Sequence, residues 1–127
     1  FIDTELTEVD EFKKLTLKEY TEDKFKRRNI ERWAENIINA TIDVAKIVLA
    51  SDKKRMPKTY ESALFEFAIY IKLSEKESER FAKFANLRNI LAHEYLDILY
   101  ERIKNFIDEF PQMYKKISTS LKNKLKI

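Results

Sequence analysis

The chain contains no glycine in 127 residues, and it has only two prolines, Pro57 and Pro111. Glycine is the usual residue where a backbone turns into the left-handed conformation, as in tight turns and hairpins. A β-rich fold of this size would be hard to build without it, so we expect an all-α protein. The same absence excludes glycine-rich phosphate-binding loops and dinucleotide-binding turns, which need glycines at fixed positions.

Cysteine is also absent, which excludes disulfides, thiolate nucleophiles and cysteine metal sites. His93 is the single histidine, so a histidine-rich metal site is not expected; a carboxylate site for a hard cation stays open, although no EF-hand spacing is present. The 25 basic and 22 acidic residues are too balanced to indicate a nucleic-acid binder by charge alone. No apolar run approaches the roughly 20 residues that span a bilayer. We therefore expect no membrane span and a cytoplasmic location.

Apolar residues recur with the three-and-four spacing of a helical face in five segments. The clearest segment is predicted to span residues 24–50, and a shorter first segment covers residues 3–14. The third segment has a predicted buried stripe of Tyr60, Leu64, Phe67, Ala68 and Ile71. With short connections between the segments, the simplest packing is an antiparallel bundle of about four to five helices. We expect this bundle to form a single domain over residues 1–127.

Start and stop signals divide these segments. Thr16 and Ser74 each stand three residues before a glutamate, the pattern of a capping box, and Thr59 is placed to cap the third helix. The fourth helix, which starts at Ser74, is predicted to run on through the only histidine. The last helix begins near Asp97, and Pro111 should kink or restart it because proline lacks the backbone N–H.

A polar sector interrupts the apolar stripe of the fourth helix. The stripe places Arg88 where a buried residue is expected, and a guanidinium there needs an ion pair or a cleft. At about 100° per residue, Asn89 and His93 lie nearly above one another, whereas Arg88 stands about 140° from His93. One copy of this sector converges poorly, so the spacing favours two copies that face each other across a twofold axis.

The chemistry of the sector suits a phosphodiester. Histidine moves protons near neutral pH, arginine binds phosphate through two parallel hydrogen bonds, and asparagine can orient either group. In RNA the 2′-hydroxyl is the internal nucleophile that such a site would use without a metal. The alternative from spacing alone is a helix that contains a histidine as a cap or a satisfied polar residue.

The stretch R-N-I-L-A-H-E-Y, from Arg88 to Tyr95, resembles the R-x4-H-x-Y signature of the HepT-like branch of the HEPN superfamily. A long amphipathic helix precedes it and a final helix with Asp-Glu-Phe-Pro follows, so the resemblance covers residues 6–117. It implies a HEPN-like helical bundle that forms homodimers, with the two motifs facing each other across a cleft. It also implies a metal-independent endoribonuclease that needs no cofactor.

The resemblance further assigns roles to four residues. Arg88 would bind the scissile phosphate, His93 would transfer protons at the 2′-hydroxyl or the leaving group, and Asn89 would support both. Tyr95 would accept AMP from a small nucleotidyltransferase antitoxin of the MNT type, and this modification would silence a ribonuclease toxin. Seven residues separate Tyr95 from Arg88, so a continuous helix would place them almost on one line.

Two other interpretations remain. In the first, the same cleft binds RNA or nucleotide, or docks the nucleotidyltransferase, without catalysis. In the second, the role of Arg88 is structural: it pairs with a buried carboxylate such as Glu35 or Glu66, and His93 caps a helix. Loss of Arg88 would then mainly unfold the protein.

Overall fold

The computed structural model describes residues 1–90 and 95–125, and every regular element in that part of the chain is an α-helix. This confirms the all-α fold class. The five predicted segments are divided further, and the helices in chain order are α1 (Ile2–Leu6), α2 (Val9–Lys13), α3 (Leu17–Glu22), α4 (Lys24–Ser51), α5 (Tyr60–Tyr70), α6 (Glu75–Lys83), α7 (Ala85–Ile90) and α8 (Leu96–Leu125).

Hydroxyl side chains cap three of these helices at the predicted positions. Thr16 and Ser74 form complete capping boxes at the start of α3 and α6, and each hydroxyl accepts a backbone N–H at 3.1 Å. Thr59 caps α5 and accepts a backbone N–H at 3.0 Å. Each cap satisfies a backbone donor that has no partner inside its helix, which is why local spacing was sufficient to predict these boundaries.

Lysine takes the place of glycine where α4 and α5 end. Lys53 and Lys72 have φ angles of 58° and 76°, in the left-handed region. The N–H of Lys54 bonds back to the carbonyl of Leu49 at 2.9 Å, and the equivalent bond after Lys72 is 3.0 Å. This is the Schellman arrangement that closes a helix and that usually has glycine at the left-handed position.

The first predicted helix is wrong as a single element, because it divides at Thr7 and Glu8. The Thr7 hydroxyl donates to the carbonyl of Thr4 at 2.6 Å, and the indole N–H of Trp33 donates to the carbonyl of Glu5 at 2.8 Å. Side chains therefore donate hydrogen bonds to carbonyls at the end of α1, and such bonds compete with the backbone bonds that would continue the helix. The tertiary contact from Trp33 could not be predicted from local spacing.

The fourth predicted helix is also divided, at Phe84 between α6 and α7. The N–H of Phe84 bonds to the carbonyl of Phe81, and the N–H of Leu87 bonds to the carbonyl of Phe84, each at 3.2 Å. These bonds span three residues instead of four, which tightens the chain locally. Phe84 is buried here and packs edge-on against Phe106 and Phe110 at centroid distances of 5.7 and 5.5 Å.

The last helix, α8, continues through Pro111, so the predicted restart at this residue is wrong. Proline inside a helix removes one backbone hydrogen bond and costs about 3 kcal/mol. Buried residues on both sides, Phe110 and Met113, hold one apolar face of α8 against the core. Burial of about 25 cal/mol per Å² of apolar surface offsets the lost bond.

A single hydrophobic cluster joins the helices of the described residues. Phe106 lies near its centre and contacts the rings of Trp33, Phe84 and Phe110 at centroid distances of 5.9, 5.7 and 4.7 Å. Ala85 and Leu87 anchor α7 in the same cluster. Within the described residues, none of the helices combines the length and apolarity required to cross a membrane.

Candidate active site

Arg88 lies on α7, the short helix that carries the start of the motif. Its neighbours Ala85 and Leu87 are buried, whereas Arg88 itself is half-buried. Its Nε atom is buried without a hydrogen-bond partner among the described residues. Arg88 therefore lies beside buried residues as expected, and the continuation of the predicted stripe at residues 91 and 92 lies outside the described residues.

The guanidinium of Arg88 contacts an aromatic ring. Its Cζ lies 4.7 Å from the ring centroid of Tyr60, within the range of a cation–π interaction. Both carboxylates that we considered as structural partners, Glu35 and Glu66, are exposed. No ion pair joins Arg88 to a carboxylate within residues 1–90 and 95–125, so the predicted pairing with a buried Glu35 or Glu66 is wrong.

A second cation approaches the same ring. The Nζ of Lys46, on α4, lies 4.9 Å from the centroid of Tyr60, the first residue of α5. The site therefore joins three helices that are distant in sequence. Tyr60 is 37% exposed, so its place in the predicted buried stripe of α5 is wrong, although Leu64, Phe67, Ala68 and Ile71 are buried as predicted.

Sequence reasoning missed Lys46 and Tyr60 as members of the site. A partial signal exists, since Tyr60 directly follows the cap at Thr59 and so lies at the helix end, where a buried stripe runs out. Lys46 carries no comparable signal, because a lysine on a long helix ordinarily marks its solvated face. Only the packing of α4, α5 and α7 identifies it.

Of the other three predicted site residues, Asn89 and Tyr95 belong to the described part of the chain and His93 does not. Asn89 lies in α7 beside Arg88, and His93 lies outside the described residues, so the role of His93 stays a prediction. Tyr95 precedes α8, where its carbonyl accepts the N–H of Leu99 at 2.9 Å. Because Tyr95 is not helical, Arg88 and Tyr95 do not share one helical line, as a continuous helix would require.

The Tyr95 side chain is 80% exposed, the same fraction as Phe25 and more than other exposed large hydrophobic side chains of the described residues. Ile98, in the first turn of α8, is 38% exposed. A tyrosine hydroxyl on so open a side chain is accessible to another protein. The start of α8 is thus an exposed, partly apolar surface.

Open clefts lie along the surface, with volumes from about 170 to about 470 Å³. One cleft of about 170 Å³ lies between α6, α7 and α8 and is lined by three basic side chains, Arg80, Lys83 and Arg102, and one carboxylate, Glu109.

Metal ligands do not converge in the described residues, where no group of three or more carboxylate or imidazole side chains is placed to hold an ion. Around Arg88 the chemistry is instead cationic and aromatic. Two positive side chains and one ring can bind an anion, and a phosphate is the anion that a guanidinium matches best.

Comparison with known proteins supports the resemblance found in the motif. A search of curated protein sequences found no match. The family model described as Ribonuclease HepT-like matches residues 2–120, nearly the whole chain. The matched span includes Lys46, Tyr60 and Arg88, together with the motif that ends at Tyr95. This chain therefore belongs to the HepT-like ribonuclease family.

Proposed function

We propose that this protein is the toxin of a HepT/MNT-type toxin–antitoxin system and acts as a metal-independent endoribonuclease. The observation that carries the proposal is the set of contacts that the Arg88 guanidinium makes. The guanidinium rests on Tyr60, and no carboxylate of the described residues pairs with it. A half-buried arginine with no anionic partner among residues 1–90 and 95–125 is suited to an anionic substrate, and the family membership makes RNA the substrate of choice.

The reaction is a transesterification within the RNA backbone. The 2′-oxygen attacks the adjacent phosphorus and the bond to the 5′-oxygen breaks, which leaves a 2′,3′-cyclic phosphate and a free 5′-hydroxyl. Arg88 would bind the non-bridging oxygens and stabilise the added negative charge. His93 would accept the proton of the 2′-hydroxyl or donate one to the departing 5′-oxygen, and Asn89 would orient these groups.

A homodimer would complete this site. Arg88 is half-buried in one copy, and a second copy related by a twofold axis would bring two motifs together around one RNA strand. Ile47, next to Lys46 on α4, is 68% exposed, and Ile98 adds apolar surface at the start of α8. Light scattering on the purified protein tests this: a monomer at the concentration used for cleavage would contradict the paired site.

Cleavage of single-stranded RNA in EDTA tests the reaction. Wild-type protein should generate 2′,3′-cyclic phosphate ends, and Arg88→Ala and His93→Ala should each abolish them while circular dichroism stays native. Arg102→Ala, in the neighbouring basic cleft, is the matched arginine control and should retain cleavage. Cleavage by His93→Ala would reject the catalytic assignment. Binding of RNA without turnover by wild type would favour the alternative, a non-catalytic binding module.

Silencing by AMP is the second part of the proposal. The open position of Tyr95 suits a hydroxyl that a nucleotidyltransferase must reach, and a phosphate added there would bring negative charge near the motif. Intact mass after co-expression with an MNT-type nucleotidyltransferase should show one or more AMP units. Tyr95→Phe should remove this gain. An unchanged mass of the wild type would contradict the modification.

A further inference from the structure

We propose that Lys46 and Tyr60 complete the phosphate-binding site of Arg88, with Lys46 as a second phosphate contact and Tyr60 as the positioning residue of the guanidinium. The inference deepens the proposed function and rests on it. Neither residue belongs to the R-x4-H-x-Y motif, and each comes from a different helix. Their convergence on Arg88 is a property of the folded chain.

Two cations share one ring in this site. Lys46 Nζ and Arg88 Cζ lie 4.9 and 4.7 Å from the centroid of Tyr60. The negative face of a tyrosine ring attracts each cation, but two positive groups near one ring also repel each other. In the described residues no ion pair offsets this repulsion for either cation. The negative charge of a bound RNA backbone would offset it, so the pair favours an anionic ligand.

Tyr60 is well placed to hold the guanidinium still. It is the first residue of α5, and its position is fixed by the Thr59 cap, whose hydroxyl accepts the N–H of Ser62 at 3.0 Å. Arg88 belongs to α7, which the buried side chains of Ala85 and Leu87 hold in the core. Of its guanidinium nitrogens, Nε is the one that is buried without a partner in the described residues. The two terminal nitrogens are therefore the ones left to bind a ligand, and a guanidinium can bind two phosphate oxygens through parallel hydrogen bonds.

A second tyrosine with two cations provides an internal control. Lys54 and Lys124 lie 5.7 and 4.6 Å from the ring centroid of Tyr70. Burial, and then the neighbouring carboxylate of Asp52, raise the pKa of Tyr70. A carboxylate therefore accompanies the lysines at Tyr70, and no arginine of the motif is present. Tyr70 therefore resembles Tyr60 in having a lysine close to its ring, but no Arg88 accompanies it.

The binding experiment uses a short fluorescent 2′-O-methyl oligoribonucleotide, which cannot be cleaved. Lys46→Gln should weaken binding by about tenfold at low salt and lower the slope of log Kd against log salt by about one, as expected for one lost phosphate contact. Lys124→Gln, the matched control at Tyr70, should leave the slope closer to that of wild type. Equal slopes for the two variants would overturn the role of Lys46.

The cleavage experiment tests Tyr60. Tyr60→Leu should lower kcat about tenfold or more, since a guanidinium that is no longer held costs orientation of the phosphate. Tyr60→Phe keeps the ring and should restore most of the rate, and Tyr70→Leu should cleave like wild type. Equal rates for Tyr60→Leu and Tyr60→Phe, both folded, would overturn the positioning role.

These results separate the two proposals. If the wild type fails to cleave RNA but binding of the oligonucleotide still depends on Arg88, Lys46 and Tyr60, the phosphate site is supported and the ribonuclease assignment is rejected. If Arg88→Ala abolishes cleavage while Lys46→Gln and Tyr60→Leu match their controls, the ribonuclease assignment stands and this inference falls. If Tyr60→Leu does not fold, the salt slope of Lys46→Gln decides the question.

Discussion

Replacement of Arg88 by alanine should leave the protein folded, and this outcome separates a functional arginine from a structural one. The change removes one cation–π contact with the partly exposed ring of Tyr60, worth about 0.5–1 kcal/mol. It also removes a buried Nε without a partner among the described residues, and such a group costs about 1–3 kcal/mol. The two effects oppose each other, and the packing lost with the half-buried stem of Arg88 further offsets the relief of Nε, so we expect a net change of about 1 kcal/mol or less.

Arg27 provides the matched comparison, because its role in the structure is to hold backbone. Its guanidinium donates to the carbonyls of Tyr20 and Thr21, near the end of α3, at 3.2 and 3.0 Å. Hydrogen bonds from a charged donor contribute about 1.5–3 kcal/mol each, and solvent exposure places these at the low end. Arg27→Ala should therefore lose about 2 kcal/mol or more.

Thermal unfolding followed by circular dichroism measures both variants. For a chain of this size, 1 kcal/mol corresponds to a change in Tm of about 4 °C. Arg88→Ala should stay within about 4 °C of wild type, and Arg27→Ala should fall by about 8 °C. If Arg88→Ala unfolds, or loses more than Arg27→Ala, then Arg88 serves the fold and our assignment of its guanidinium to phosphate is refuted.

Three further predictions concern the fold. Phe106→Ala removes a buried ring with three aromatic neighbours, so it should cost about 3–5 kcal/mol in urea unfolding; a cost below that of Arg27→Ala would contradict the central place of this ring. Ser74→Ala removes the cap of α6 and should cost about 1 kcal/mol in the same assay. The Lys116 ammonium, 2.5 Å away, and then the capping bonds to Ser74 lower the pKa of Glu77 below its ordinary value of 4.5. This stabilisation is present above pH 4.5 and is lost as pH falls through the lowered value, so Glu77→Gln should flatten the acid side of a Tm–pH profile.

Much of the fold could be predicted because its signals are local. Capping boxes and apolar spacing involve residues within one turn of each other, and the boundaries at Thr16, Thr59 and Ser74 follow from them. The divisions at Thr7 and Phe84 could not be predicted in this way. They depend on contacts with residues far along the chain, Trp33 in one case and the aromatic side chains of α8 in the other.

The same distinction between local signals and long-range contacts applies to the candidate site. Arg88 was predictable because a guanidinium on an apolar stripe is unusual within a single helix. Lys46 and Tyr60 were not, because their relation to Arg88 exists only when α4, α5 and α7 pack together. The role of His93 remains a prediction from the motif.

The left-handed lysines at the ends of α4 and α5 have a practical consequence for protein engineering. A side chain in this conformation costs about 1–2 kcal/mol, whereas glycine adopts it freely and loses about 0.4–1 kcal/mol through a more flexible unfolded chain. Lys53→Gly and Lys72→Gly should therefore each add roughly 0.5 kcal/mol, at positions outside the Arg88 site. Natural proteins need only enough stability to function, so stabilising substitutions such as these two often remain available. A background that carries both changes would tolerate damaging active-site variants better than the wild type does.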